Sequence, residues 1–307
     1  MTQVICLGDI MTDIVARLPR PLAIGSDTPT SVSFLGGGSA ANTACWLAAA
    51  GVPSVIVGRV GDDERGRVAQ QLLRESGVQL AVTVDRYRPT GACVVLVGDS
   101  GERTMVPDTG ANASLQVVDL PTDLFVAGSH LHVSGYALLT SSVRPTAAAA
   151  ISLARERGMT VSVDAASAAL IRSVGSAHFL SWIGQPTPLF ANADEAEALS
   201  GHIHTRDAAR ALSFHCGQAV VKLGAKGAIW AEHGYATDVP TTPLAVVDTT
   251  GAGDAFAAGF LAARLGGIDG LLATRLAHTY AAQAVSQLGG RPRPGELLAT
   301  PGPPARF

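Results

Sequence analysis

Short apolar runs recur along the chain at 4–8, 54–58, 130–133, 160–163, 189–191 and 219–223. Runs this short and this uniformly apolar are those of strands buried on both faces of a parallel sheet. Between them the period changes. Residues 45–50 follow a glycine-rich turn and stop at Gly51. Asp62, Asp63 and Glu64 open an amphipathic segment with Val68, Leu72 and Leu73 on one face and Gly77 at its end. Asp62 is the expected N-cap of that helix. Residues 141–157 and 270–287 carry longer helical patterns. Alternation of this kind predicts an α/β domain with a mostly parallel sheet.

Two segments break the alternation. Residues 12–18 and 31–35 have β character around a Pro/Gly-rich connection with no room for a core helix. Residues 92–97, a turn at 98–101 and 103–106 read as a hairpin. Their shared character predicts one small sheet lying over a site as a lid. The expected division is a core of residues 1–11, 36–88 and 109–307 and a lid of 12–35 and 89–108. Residues 228–230 and 236–239 carry a further hairpin signal, and the proline-rich tail is expected to be extended.

Composition narrows the class. The 307 residues are 47% hydrophobic, which suits one large domain with at most a small accessory. A formal net charge of −3 points away from a nucleic-acid partner. Cys6, Cys45, Cys93 and Cys216 are scattered with no CxxC pair. That argues against a zinc site and a disulfide framework, and a cytoplasmic protein is expected. The opening MTQVICLGDIMTD lacks the basic region of a signal peptide. The uncharged stretch that contains 31–58 is broken by five glycines and Pro53, so no membrane span is expected.

The chemistry concentrates in 247–256, VDTTGAGDAF, ahead of the apolar run 255–263. Gly251 and Gly253 let the backbone turn and a ligand come close. The helix start that follows adds unpaired amides and the positive end of a dipole, which together bind phosphate oxygens. Asp254 is then an anion at an anion site. Either it caps the helix or it takes a proton from an attacking hydroxyl. Residues 36–44, GGGSAANTA, repeat the glycine turn and helix start, with Asn42 on the first turns. They also match G-x-G-x-x-A with Asp62 downstream, a dinucleotide fingerprint. That fingerprint belongs to the first strand-to-helix turn of a core sheet, whereas the first core strand here is 4–8.

Asp9 and Asp13 follow that strand's carboxyl end, where open α/β sheets bind ligands. Asp13 is either a carboxylate gripping sugar hydroxyls or a solvated loop residue. Asn192 and Glu195, three apart at a strand-to-helix junction, share a helix face. They are either a cap and its first-turn acid or a holder of hydrated Mg²⁺. Lys222, Gly224, Lys226 and Gly227 form a strand-end glycine loop that contains both lysines of the chain. No Walker A pattern occurs, but adenine, ribose or phosphate could lie against such a loop. His130 and His132 alternate along a strand; with no third ligand nearby, core histidines are the expected reading over a metal pair.

Taken in order, Asp13, the 37–42 stretch, Asn192-x-x-Glu195, 222–227 and DTTGAGD at 248–254 resemble the PfkB carbohydrate kinase family, the ribokinase-like sugar kinases. The resemblance spans nearly the whole chain, and the last motif is the most specific. It implies a three-layer α/β/α sandwich with a mostly parallel sheet and a small β-sheet lid that often mediates homodimers. It implies transfer of the ATP γ-phosphoryl group to a hydroxyl of a small carbohydrate, with Mg²⁺. Asp254 corresponds to the general base, and Gly251, Ala252 and Gly253 to an anion hole. Asp13, Gly37, Gly38, Ser39 and Asn42 fall where the family grips its sugar. Asn192, Lys222, Gly224, Lys226, Gly227, Gly253 and His278 fall around the nucleotide. Glu195 falls where Mg²⁺ is held through water. Asp248 and Thr250, with carbonyls near Ala284, Gln287 and Gly289, match a K⁺ site, although Arg293 replaces a small polar residue there.

The chain departs from ribokinases proper. Ser39 stands where they have Lys, no Glu lies near Gly135, and Met11 replaces an Asn. Losing polar contacts weakens the case for ribose. Another sugar, a sugar acid or a nucleoside stays open. A nucleoside kinase of the same fold is the second functional reading, and a non-catalytic sugar-sensing protein the third.

Overall fold

A computed structural model describes residues 2–98, 103–185 and 188–293. Its strands in chain order are β1 (Val4–Leu7), β2 (Met11–Arg17), β3 (Val32–Gly37), β4 (Ser54–Gly61), β5 (Gln79–Asp85), β6 (Gly91–Val97) and β7 (Arg103–Asp108), then β8 (His130–Ser134), β9 (Thr160–Asp164), β10 (Leu189–Asn192), β11 (Gln218–Lys222), β12 (Ala228–Glu232) and β13 (Tyr235–Val239). Nine of these form one sheet in the order β13-β12-β11-β10-β9-β8-β1-β4-β5. Seven neighbouring strands, from β11 to β5, run parallel. β12 and β13 close the edge antiparallel. They are joined by only His233 and Gly234, both at positive φ, and a two-residue link of that kind permits only a hairpin.

The uniformly apolar runs are explained by the layering. On β1, Ile5 and Leu7 enter one hydrophobic cluster with Val133 and Val221. Val4 and Cys6 enter the other with Phe190, Val220 and Phe260. Successive side chains of a strand point to opposite faces, so both faces of the sheet are covered and the architecture is a three-layer α/β/α sandwich. His130 and His132 are core residues. The rings bond to Thr160 and Ser162 at 2.7–2.8 Å. Burial pushes their pKa values down, to about 3 and about 4.

Strands from the two interrupting segments pair in a second sheet, ordered β3-β2-β6-β7. Asn112 clamps the crossing from β1 to β2: its Oδ1 accepts from the Ile10 amide and its Nδ2 donates to the Ile10 carbonyl, both at 2.9 Å.

Three details differ from expectation. β5 has no counterpart among the apolar runs, because it is the half-covered edge strand of the main sheet and mixes Gln79, Thr83 and Asp85 with its apolar residues. The N-cap of the helix Glu64–Glu75 is Asp63, whose carboxylate accepts from the Gly66 amide at 2.8 Å, and not Asp62. The Asp62 amide is committed to the Asp85 carbonyl, so that residue still belongs to the strand exit. Val68 is 43% exposed, and the buried face of that helix is Gly66, Ala69 and Leu73. Apart from Gly98, the turn expected at 98–101 lies outside the described residues, as does the tail beyond 293. Among the described residues, no helix is long and apolar enough to cross a membrane. The four cysteines are unbridged and buried.

Candidate active site

The apolar run after Gly253 forms the helix Ala252–Leu265, with Gly251 as its N-cap. Gly251 has φ +71°, a left-handed conformation that a side chain resists, and a Cβ there would strike the backbone of Gly290. Asp254 sits in the first turn yet makes no capping bond. Its carboxylate instead accepts from Ser39 Oγ at 2.8 Å and from Asn42 Nδ2 at 2.9 Å. Both donors lie on the helix Ser39–Ala49, which starts from the other glycine turn. Two glycine-led helix starts thus meet, and the capping alternative for Asp254 is excluded. Desolvation drives its pKa up to about 7; the Asn42 bond opposes this, the charge of Asp164 adds to it, and Ser39 and Lys222 oppose it. The Ala252 amide reaches the Thr249 carbonyl at 3.3 Å. The amides of Gly253 and Asp254 belong to the first turn, where a helix offers them no partner.

The G-x-G-x-x-A match loses its dinucleotide context. Its glycines end β3 of the small sheet and do not follow a core strand.

Lys222 ends β11, and its Nζ donates to Asp164 Oδ2 at 2.7 Å. The same nitrogen is 3.1 Å from where a Cβ on Gly253 would sit. Burial alone would lower its pKa, but Asp164, Glu195 and Asp254 reverse this and the net shift is upward. Asn192 and Glu195 make a reciprocal capping box. Glu195 Oε2 accepts from the Asn192 amide and Oε1 from Asn192 Nδ2, both at 2.8 Å. The cap reading is therefore correct locally, yet both residues also line the central cavity. Glu195 is buried, and desolvation followed by the charge of Asp164 raises its pKa to about 7, with Lys222 opposing. Two buried carboxylates beside one lysine are a set of hard oxygen donors that suits a hydrated divalent ion.

The cavity has a volume of about 690 Å³. At one end it is lined by Asp9, Asp13, Gly38, Ser39 and Asn42; toward the other by Lys222, Gly224, Gly227 and His278, with Gly251, Ala252, Gly253 and Asp254 also on its wall. Asp13 is no solvated loop residue. It lies on β2, is 4% exposed, and packs so closely on Gly37 that a side chain there would collide with its carboxylate. Burial raises its pKa to about 6, opposed first by Arg291. His278 Nε2 lies 3.2 Å from the Val239 carbonyl oxygen, and burial lowers its pKa despite that bond. Lys226 is exposed and faces an adjoining shallow depression with Asn192, Lys222 and Gly224.

Asp248 is fully buried. Three neutral donors hold it: the Thr250 amide at 2.8 Å, the Thr250 hydroxyl at 2.6 Å and the Gly289 amide at 2.9 Å. Ala284 and Gln287 lie on the same turn, where the Gln287 amide meets the Ala284 carbonyl at 3.4 Å. The Asp248 carboxylate, the Thr250 hydroxyl and the backbone carbonyls of this turn are hard oxygen groups of the kind K⁺ takes.

Two participants escaped the sequence reading. Asp164 closes β9 at the same carboxyl edge as Asp9, and an acid ending a buried strand run was the available signal. Arg291 had no signal. Its Nε donates to Asn42 Oδ1 at 3.2 Å and its Nη2 to the Gly37 carbonyl at 2.7 Å, bracing both acceptor-end segments from a loop near the chain's end.

An α/β sandwich whose strand ends gather a glycine-turned helix start, a lysine and a pKa-shifted aspartate in one cavity has the make-up of a phosphotransferase. The chain matches the model of the pfkB family carbohydrate kinases over residues 1–294 and belongs to that family. It is 32% identical to an ATP-dependent ribose-1-phosphate kinase of Halopiger xanaduensis, over 96% of this chain and 95% of that one. Its fold is similar to that of the adenosine kinase of Sinorhizobium meliloti, with TM-score 0.87 and 25% identity over 95% of this chain and 96% of that one. It is also similar to a Vibrio cholerae fructokinase solved with fructose, ADP and a calcium ion, with TM-score 0.79 and 29% identity over 94% of each chain.

Proposed function

We propose that this protein transfers the γ-phosphoryl group of ATP to a hydroxyl of a small carbohydrate, with Asp254 as general base. The observation that carries this reading is the uncapped Asp254 carboxylate, held by Ser39 and Asn42 beside the first-turn amides of the helix Ala252–Leu265. The acceptor hydroxyl lies between Asp13 and Asp254. Its oxygen forms the new P–O bond as the bond from the γ-phosphorus to the β–γ bridging oxygen breaks, and its proton passes to Asp254. Lys222 and the amides of the glycine turn stabilise the charge on the transferring group. Mg²⁺, held through water near Glu195 and Asp164, would neutralise phosphate charge. K⁺ at Asp248 and the 284–289 turn would stiffen the anion-hole loop.

Coupled assay of ADP release with a panel of free sugars, sugar acids, sugar phosphates and nucleosides tests the proposal. Acceptor-dependent ADP release is expected. A panel in which no acceptor stimulates release would defeat it. A nucleoside acceptor is the second reading, supported by the apolar wall of Met105, Leu115, Tyr136, Val143 and Leu170 in the cavity, against which a base could lie. Turnover of adenosine but of no sugar would reverse the order.

The small sheet is also proposed to pair two copies of the chain. Its outer face carries Val32, Phe34, Val94 and Val106, which are 52%, 70%, 39% and 59% exposed. Sedimentation velocity is expected to show a dimer that Phe34→Asp converts to monomer. A wild-type monomer at micromolar concentration would refute the pairing.

A further inference from the structure

We propose that the acceptor carries an anionic substituent, a phosphate or a carboxylate, and that Arg103 on the inner face of the small sheet binds it. The inference rests on the phosphotransfer reading of the same cavity and names its substrate class.

β7 pairs with β6 in the register Arg103 with Val97, Met105 with Val95 and Pro107 with Cys93. Alternate residues share a face, so Arg103, Met105 and Pro107 point the same way. All three line the cavity, together with Cys93 and Asp13 from the neighbouring strands. The opposite face of β7 carries Thr104, Val106 and Asp108, and the whole strand is exposed along the edge of the small sheet. Arg103 is thus placed over the cavity by strand parity.

Lys222 and Arg103 are the Lys and Arg side chains that line this cavity among the described residues. Lys222 is committed to Asp164. The Arg103 side chain is exposed and makes no hydrogen bond or ion pair among the described residues. Its charge nonetheless acts on Asp13, where with Arg291 it opposes the upward push of burial. The guanidinium therefore belongs to the acceptor end. The wall below it carries Asp9 and Asp13, with Arg291 behind them on Asn42 and Gly37. The two carboxylates accept hydrogen bonds from hydroxyls and repel an anion. A neutral sugar would satisfy them and leave the exposed arginine to water. A sugar with hydroxyls toward β2 and an anionic group toward β7 satisfies both. The planar guanidinium offers paired N–H groups that match phosphate or carboxylate oxygens in bidentate fashion.

The test is steady-state ADP release on matched acceptors: pentoses and hexoses, their 1-, 5- and 6-phosphates, and the corresponding aldonates. For the wild type, kcat/KM is expected to be highest for an anionic member, and the preferred member distinguishes phosphate from carboxylate. Arg103→Met is expected to lower the ratio of anionic to neutral kcat/KM about 10²-fold, chiefly through KM. Arg103→Lys should recover part of it. Melting curves of both variants check that the sheet is intact. A ratio unchanged in Arg103→Met, or a wild type that prefers neutral sugars or nucleosides, overturns the anionic-acceptor inference while leaving phosphotransfer in place. Absence of turnover with every acceptor overturns both.

Discussion

Asp254→Asn is expected to lower kcat by about 10²-fold or more with the fold retained. An amide keeps the shape of the carboxylate but accepts no proton, so the loss should appear in kcat more than in either KM. The wild-type pH profile should carry the same signature. Desolvation holds the Asp254 pKa at about 7, and only the carboxylate acts as a base. Thus kcat/KM should rise with pH through about 7 and level off above it. The linkage to stability runs the other way. A carboxyl group whose folded pKa exceeds its unfolded value of about 3.9 binds more protons in the folded state between those pH values. Its contribution to stability therefore falls as pH rises through that window. Asp254→Asn removes that dependence, so its melting temperature should gain on the wild type between pH 4 and pH 7. A variant that retains near-normal turnover would return Asp254 to a structural role.

Lys222→Met should have the second largest effect, about 10²-fold in kcat/KM. Lys222 is bonded to Asp164 and shares its charge with Glu195 and Asp254. In the proposed reaction its removal would leave three carboxylates facing the phosphates with no balancing lysine. It also removes a charge that lowers the Asp254 pKa, so the acidic limb of the rate profile should move to higher pH. Lys222→Arg should leave that limb closer to its original position. A Lys222→Met profile with the wild-type midpoint would show that the lysine does not act on the base. Rate loss alone would not distinguish a binding role, whereas the midpoint does.

Much of this was legible in the chain because it is local. The strand runs, the two glycine turns and the small-sheet segments are patterns over fewer than ten residues, and backbone physics acts at that range. The misreadings were also local but depended on neighbours. Asp62 and Asp63 are equivalent caps in sequence, and the choice follows from the Asp62 amide being taken by β5. β5 itself is an edge strand, so only one side of it needs to be apolar.

By itself, the sequence determined that a glycine turn runs into a helix at 248–254 and that an α/β core surrounds it, since glycine placement and apolar periodicity suffice for both. Whether Asp254 caps that helix or faces a substrate could not be read there, because the deciding donors, Ser39 and Asn42, stand 215 and 212 residues away. The same holds for Lys222 with Asp164, 58 residues apart, and for Arg291 with Asn42, 249 apart. Only the tertiary structure brings these groups within hydrogen-bonding distance and removes water from around them. That desolvation carries the Asp254 pKa to about 7, which would suit the carboxylate to the base role proposed for it at neutral pH.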